Sequence, residues 1–193
     1  PYFATDSVKQ IAELDEPDVL IVNDELTAVT PLVPVLEYIA SSGGSLLIIC
    51  NAVGGEALQA LVLNRVKAGL KVCVIKSPEF ASARVTALQD LASLVGAQVV
   101  TNAKESLDRE ELKKVLGKIK KATVTDKTTL LFGTHQNETT QKRLESAKSV
   151  LADPTASRDD KKIAERRLKR LSDGIAVIQV GGATESEMKE ETE

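Results

Sequence analysis

Short apolar runs alternate with helical patterns over residues 18–101. The apolar runs, rich in β-branched residues and typical of buried strands, cover residues 18–22, 45–50, 70–75 and 98–101. The helical patterns between them, each followed by glycine, cover residues 30–41, 56–67 and 82–94. Thr30 and Pro31 are placed to cap and open the first helix. Strands separated by helices of this length predict βαβ units and a largely parallel sheet.

The pattern changes after residue 102. A short charged helix is expected over residues 106–116, followed by two strands over 122–126 and 128–132. A helical pair over 137–172, a last strand over 175–180 and a last helix over 185–193 complete the pattern. The two adjacent strands are spaced for a hairpin. Asp153-Pro154 divides the helical pair, and Ser157 is placed to cap its second helix. The sequence therefore predicts an α/β fold in which helices flank a β-sheet core, with a C-terminal helical hairpin.

Composition narrows the function classes. The chain has 193 residues, 42% of them hydrophobic, which fits one domain or one domain with an appendage. Its 25 basic and 28 acidic residues nearly balance, so no basic excess predicts nucleic-acid binding. No apolar run reaches the roughly 20 residues of a membrane span. Cys50 and Cys73 lie in apolar runs and are expected to be buried, reduced thiols, as in a reducing compartment. A disulfide between them would require their strands to be neighbours.

Residues that could carry chemistry are few. His135 stands alone in a loop and is expected to be solvated, and no Cys/His cluster has metal-ligand spacing. Gly54 and Gly55 precede a helix that could hold an anion at its N-terminus, but the lysine and serine of a phosphate loop are missing. A tight turn is the simpler interpretation. No catalytic and no metal-binding residue is predicted.

Two function classes are compatible with these residues. A receiver-like regulator would use the acidic pair Asp24 and Glu25 after the first strand, but Lys76 and Ser77 follow the third strand, where a phosphoacceptor aspartate is required. An α/β receiver-like or small-molecule-binding domain of unknown activity is one of these alternatives. A structural domain that binds one folded partner is the other.

The second helix carries more apolar surface than packing on a sheet requires. Leu58, Val62 and Val66 form one stripe, Leu63 lies well round from it, and Leu61 lies on the opposite flank. Polar residues are scattered between them, so the helix has no coherent polar face. Such a helix is either covered on both sides or offers apolar side chains to a partner.

The first helix has the same excess. Its core stripe comprises Leu32, Val35, Leu36 and Ile39. Val33 and Tyr38 fall outside that stripe. Two such neighbouring helices would leave an apolar groove, and contiguous exposed apolar surface usually marks a binding site.

Several motifs, in order along the whole chain, are similar to those of group I chaperonins (the GroEL or chaperonin-60 family). Leu32-Val33-Pro34-Val35-Leu36-Glu37 resembles the family's Leu-Leu-Pro-Val-Leu-Glu, and residues 55–64 resemble its Gly-Glu-Ala-Leu-Ala-Thr-Leu-Val-Val-Asn. Further matches are residues 88–90, 126–129, 174–178 and 180–185. The resemblance implies an apical-domain-like α/β fold. It places the polypeptide-binding apical domain at residues 1–174 and the start of the returning intermediate segment at 175–193, within a longer protein.

The resemblance also implies a site. An apical domain of this family binds non-native polypeptides and the mobile loop of a GroES-type co-chaperonin in one apolar groove. The positions that match are Tyr2, Phe3, Val33, Leu36, Leu58, Val62, Leu63 and Asn64. Gly174 matches a hinge glycine. The full-length protein is expected to bind ATP and Mg outside this chain, so this segment by itself is not expected to be an enzyme.

The resemblance further implies heptameric rings, homo- or hetero-oligomeric, for the full-length protein and a monomer for this segment, with neither nucleic acid nor membrane as a partner. The compartment would be bacterial cytoplasm, chloroplast stroma or mitochondrial matrix. Departures from the family suggest a divergent or specialised subunit. Glu79 and Ala81 replace the two glycines of the loop at residues 76–85, Asn51 and Ala52 replace an acidic pair, and Asp173 replaces a glycine.

Overall fold

The structure is a computed structural model that describes residues 12–79, 81–102, 108–125, 128–134, 137–172 and 175–179. The strands are β1 (Ala12–Asp15), β2 (Asp18–Val22), β3 (Glu25–Leu26), β4 (Ser45–Cys50), β5 (Ala52–Val53), β6 (Lys71–Lys76), β7 (Val99–Val100), β8 (Gly117–Lys118), β9 (Lys121–Val124), β10 (Thr128–Phe132) and β11 (Ile175–Gln179). The helices are α1 (Val33–Ser42), α2 (Gly55–Ala68), α3 (Ala81–Val95), α4 (Arg109–Val115), α5 (Glu138–Ala152) and α6 (Arg158–Ser172).

The larger sheet has the predicted parallel core. Its order is β6-β4-β2-β7, all parallel, and β8 pairs antiparallel with β2. Leu20 of β2 lies opposite Ile48 of β4, and Ile48 lies opposite Val74 of β6. Every residue of β4 is buried, as expected for a central strand covered by helices on both faces.

A second sheet is antiparallel, with the order β1-β9-β10-β11. The predicted hairpin of β9 and β10 is confirmed, with Thr129 opposite Val124. Strand β11 pairs with β10 along five residues, so it completes this sheet. Strands β3 and β5 form a separate two-stranded parallel pair. The predicted domain boundary after residue 174 stays a prediction.

The crossovers place the helices on two faces of the parallel sheet. The chain steps from β2 to β4 to β6 in one direction through α1 and α2, and returns to β7 through α3. Because such crossovers are right-handed, α1 and α2 lie on one face and α3 lies on the other. The hairpin of α5 and α6 packs against α3. No helix in the described ranges is long and apolar enough to span a bilayer.

The helix ends follow local chemistry, with one difference from the prediction. A 3-10 turn at Thr30–Leu32 leads into α1, and Thr30 is not a cap, because the residue before that turn is Val29 and no side chain caps it. α1 and α2 end at Gly43 and Gly69, both with positive φ. The predicted cap of α6 is confirmed, because the Ser157 hydroxyl accepts a hydrogen bond from the backbone N–H of Asp160.

Candidate functional site

Helix α1 buries one side and leaves part of another side in solvent. The predicted core residues Leu32, Val35, Leu36 and Ile39 are all buried. Val33 is 39% exposed. It lies in the first turn of α1, on the side that the core stripe leaves free. The prediction that Val33 falls outside the core stripe is confirmed.

Helix α2 carries apolar side chains on more than one side. Ala57 and Leu61 are fully buried, whereas Leu58 and Val62 are half-buried and pack against the core. Leu63 is 51% exposed, the largest value among the exposed large hydrophobic residues of the described chain. The helix is thus not covered on both sides, and its outer side offers a leucine to solvent.

A cavity of about 490 Å³ joins the two helices. Its lining residues come from the segment before α1, from α1 and α2, from the turns that follow these helices and from the start of β6. They are Val29, Val33, Leu36, Glu37, Ile39, Ala40, Gly43, Gly44, Asn64, Gly69, Leu70 and Lys71. The volume is in the range of small-ligand pockets. Its lining is mainly aliphatic, and Glu37, Asn64 and Lys71 supply polar groups.

The structure brings together part of the predicted set. Val33, Leu36 and Asn64 line the cavity, although Leu36 is only 7% exposed. The same helix as Asn64 also carries Leu58, Val62 and Leu63, but these three residues do not line the cavity. Tyr2, Phe3 and Gly174 lie outside the described residues.

Two polar residues that line the cavity were not predicted from the sequence. Glu37 and Lys71 come from different elements, and only the fold places them on one cavity. The signal available in the sequence was the pair of helix-ending glycines, Gly43 and Gly69, which turn the chain at the same end of both helices. Asn64 is held in place because its side-chain amide donates a hydrogen bond to the carbonyl of Ala60 at 2.8 Å.

At the carboxyl ends of the parallel strands, where α/β proteins often bind ligands, neutral side chains of the described residues form a hydrogen-bonded chain. The Ser77 hydroxyl donates to Asn51 Oδ1 at 2.8 Å, and Asn51 Nδ2 donates to Asn23 Oδ1 at 3.0 Å. Asp24 accepts a hydrogen bond from the backbone N–H of Glu25. Among the described residues, no group of three or more His, Cys, Asp or Glu is arranged to hold a metal. Asp24 is present, but Asn51 and Ser77, which follow β4 and β6, are not the phosphoacceptor aspartate that a receiver-like site requires.

The two cysteines are buried free thiols, as predicted. They lie on neighbouring strands, but Cys50 is opposite Lys76 and Cys73 is opposite Leu47, so they are not paired across the ladder. Burial raises the pKa of each thiol to about 12. Because the thiolate is the nucleophile, neither cysteine is suited to catalysis at neutral pH.

Curated proteins similar to this chain are chaperonins. A chaperonin GroEL from the Wolbachia of Brugia malayi is 41% identical over 192 residues, which is 98% of this chain and 35% of that protein. Chaperonin GroEL 1 of Protochlamydia amoebophila is 40% identical over 193 residues, and the GroEL of Methanospirillum hungatei is 39% identical over 194 residues, each covering 98% of this chain. This chain belongs to the GroEL family of chaperonins. It spans about a third of the length of these relatives.

A solved structure supports the fold of this GroEL-family chain. The chaperonin gp146 of bacteriophage EL, crystallised in the presence of ATP-BeFx, has a TM-score of 0.51 and 18% identity, and it covers 94% of this chain and 36% of the gp146 chain. The GroEL-family chain thus has the apical-domain-like α/β fold that its motifs implied. No family model matches it.

Proposed function

We propose that this chain is the part of a chaperonin that binds non-native polypeptides, through apolar side chains of α1 and α2. The observation that carries the proposal is the exposure of two aliphatic residues, Val33 at 39% and Leu63 at 51%, on neighbouring helices that share a cavity. Singly exposed apolar side chains are common, but exposed apolar side chains on helices that border an apolar cavity are typical of a binding groove. The chaperonin relatives supply the class of partner.

Binding of this type follows from elementary physical chemistry. An unfolded chain exposes aliphatic and aromatic side chains, and burying one of them fully contributes about 1.5–3 kcal/mol. The cavity has room for such a side chain, while Glu37, Asn64 and Lys71 offer hydrogen-bond partners to the peptide backbone beside it. Because the apolar contacts do not read a particular sequence, many clients can bind. Ordering costs leave the affinity of one such domain modest.

The remaining parts of the proposal concern the whole protein. Seven such domains in a ring would bind one client at several points, and the resulting multivalency would offset the weakness of each contact. The mobile loop of a GroES-type co-chaperonin would compete for the same groove, with Tyr2, Phe3, Leu36, Leu58, Val62 and Asn64 completing it. ATP and Mg would bind outside this chain, and movement at Gly174 would carry the domain between binding and release.

The test is peptide binding by the double variant Val33→Ser/Leu63→Ser. Fluorescence anisotropy with a labelled amphipathic peptide should show at least a tenfold increase in Kd, because the two lost apolar contacts together are worth about 1.4 kcal/mol or more. Both side chains are substantially exposed, so the variant should keep its fold, as circular dichroism can check. Leu58 and Val62 are less suitable targets because they pack against the core.

The chain offers a matched control. Val85 is 43% exposed but lies on α3, which covers the opposite face of the sheet. Val85→Ser removes about as much exposed apolar surface as Val33→Ser alone and should leave the Kd unchanged. Equal Kd values for the double variant and the wild type would refute the groove. Equal losses in the double variant and in Val85→Ser would show that binding follows general surface hydrophobicity.

A further inference from the structure

The loop between β6 and α3 contains a residue in an unfavourable backbone conformation. Glu79 has a φ of +65°, in the left-handed region that favours glycine. Among the described non-glycine residues, the only other with positive φ is Glu16, at +44°. A side chain that persists in this conformation needs compensating contacts.

The carboxylate of Glu79 supplies such contacts. Arg166 of α6 donates to both of its oxygens, from Nε at 2.5 Å and from Nη2 at 2.8 Å. This bidentate arrangement is the strongest geometry for an arginine–carboxylate pair. Arg170, one turn further along α6, places its Nη2 4.0 Å from the same carboxylate. Glu79 is 87 residues from Arg166 in sequence, so the pair ties the loop to the helical hairpin.

The surroundings make this carboxylate hard to replace. Arg170 is buried, and its Nε and Nη1 have no hydrogen-bond partner among the described residues. Burial lowers the pKa of Arg170, Asp90 and Glu79 oppose that effect, and the charges of Arg166 and Arg167 add to it. Without Glu79, the arginines of α6 would face one another with Asp90 as the remaining carboxylate. The loop would lose its ion pair with α6, and the partly buried arginines would lose a counter-ion.

The other end of the loop is anchored separately. The backbone N–H of Ser77 donates to the carbonyl of Cys50 at 2.7 Å, and its hydroxyl donates to Asn51. Ser77 therefore fixes the loop to the end of β4, which leads into α2. Two residues later, Glu79 fixes it to α6. The short segment between these two contacts thus connects the end of β4 to the α5–α6 hairpin, which packs on the α3 side of the sheet.

We propose that Glu79, Arg166 and Arg170 form an electrostatic latch that holds the β6–α3 loop on α6 and keeps Glu79 in its left-handed conformation. The latch makes the loop and the α5–α6 hairpin one mechanical unit. It opens when its charges are removed or screened, and the loop then relaxes while the sheet stays folded.

The test compares two glycine substitutions, Glu79→Gly and Glu16→Gly. Each substitution places glycine at a position of positive φ and so removes backbone strain. The two sites differ because Glu16 is exposed and its carboxylate has no ion pair in the described part of the chain. Glu16→Gly should leave the Tm unchanged or raise it, because backbone strain is removed. Glu79→Gly should lower the Tm by roughly 3–6 °C, and amide hydrogen exchange over residues 77–86 should accelerate at least tenfold. If Glu79→Gly raises the Tm as Glu16→Gly does, the latch is overturned.

Ionic strength tests the electrostatic part. Glu79→Gln keeps the side-chain shape, so the difference in Tm between wild type and Glu79→Gln measures the charge. That difference should shrink by about half between 0.02 and 0.5 M NaCl, because added salt shortens the screening length. In addition, Arg166→Gln should produce the same acceleration of exchange in the loop as Glu79→Gln, and the double variant should add nothing. A salt-independent difference would show that the charge of Glu79 does not hold the loop, and additive effects would show that Glu79 and Arg166 act separately; either result would overturn the latch.

Discussion

Asp90 offers a quantitative test of how the back of the sheet is held together. It is fully buried on α3, and its carboxylate accepts hydrogen bonds from Nε of Arg143 on α5 and from Nε and Nη2 of Arg167 on α6, the last two at 2.8 and 3.2 Å. Both guanidinium groups are mostly shielded from water. Asp90→Asn keeps the side-chain shape but removes the charge, so two shielded cations lose their counter-ion.

The size of the loss follows from this geometry. Breaking a buried ion pair by removing one partner costs about 3–5 kcal/mol. Asparagine retains one carbonyl oxygen that can accept from one of the two arginines, so the lower end, about 3 kcal/mol, applies. For a chain of this size, each kcal/mol lowers the Tm by about 2–4 °C, which gives a decrease of about 6–12 °C.

Urea denaturation followed by circular dichroism measures this loss. The matched control is Glu138→Gln, which removes the partner of Lys142 in an exposed i,i+4 pair at 3.3 Å on α5. It should cost less than about 0.5 kcal/mol, because water screens the pair. If Asp90→Asn loses less than about 1 kcal/mol, or no more than Glu138→Gln, the buried cluster does not stabilise the packing of α3 on the hairpin.

Two further predictions concern tight packing and buried thiols. Gly117→Ala should destabilise the protein by about 1–3 kcal/mol in urea denaturation, because a Cβ at Gly117 would lie 2.4 Å from the carbonyl oxygen of Val95; a change within about 0.5 kcal/mol would contradict the close approach. Cys50 and Cys73 should react with iodoacetamide near pH 8 only after unfolding. Burial in the folded state raises the pKa of both thiols from 9.0 to about 12, so unfolded thiols ionise first and stability should fall as pH rises from 9 towards 12; urea midpoints that do not change over this interval would contradict that.

The parallel sheet could be predicted because its strands are locally distinctive. Residues such as Leu46 and Ile49 stand in continuous apolar runs, and the helices between the strands end at glycines. The first strand of the antiparallel sheet, β1, was missed. Its sequence, Ala12-Glu13-Leu14-Asp15, alternates over only four residues, and its partner β9 is more than 100 residues away. The two-residue strands β3, β5 and β8 carry no periodicity at all.

The site could be predicted only in part, for a related reason. Helical periodicity showed that α2 has too many apolar residues, but it could not decide which of them face the sheet. The fold buries Leu61 fully and leaves Leu58 and Val62 half-buried, while Leu63 points to solvent. Likewise, nothing local marks Glu79 and Arg166 as partners, since helix and loop are brought together only by the path of the chain.

The two faces of the parallel sheet differ in the contacts that their helices make. On the face of α1 and α2, Val33 and Leu63 remain in solvent, so their burial contributes little to folding. On the other face, Asp90 and Glu79 bind arginines of α5 and α6, and these directional contacts hold the helices without apolar surface beyond the core. The ion pairs lie away from the proposed groove, so a client bound there as proposed would not touch the contacts that fix the hairpin. Under the proposed function, the exposed apolar residues of α1 and α2 are thereby supported by ion-paired helices on the opposite face of the sheet.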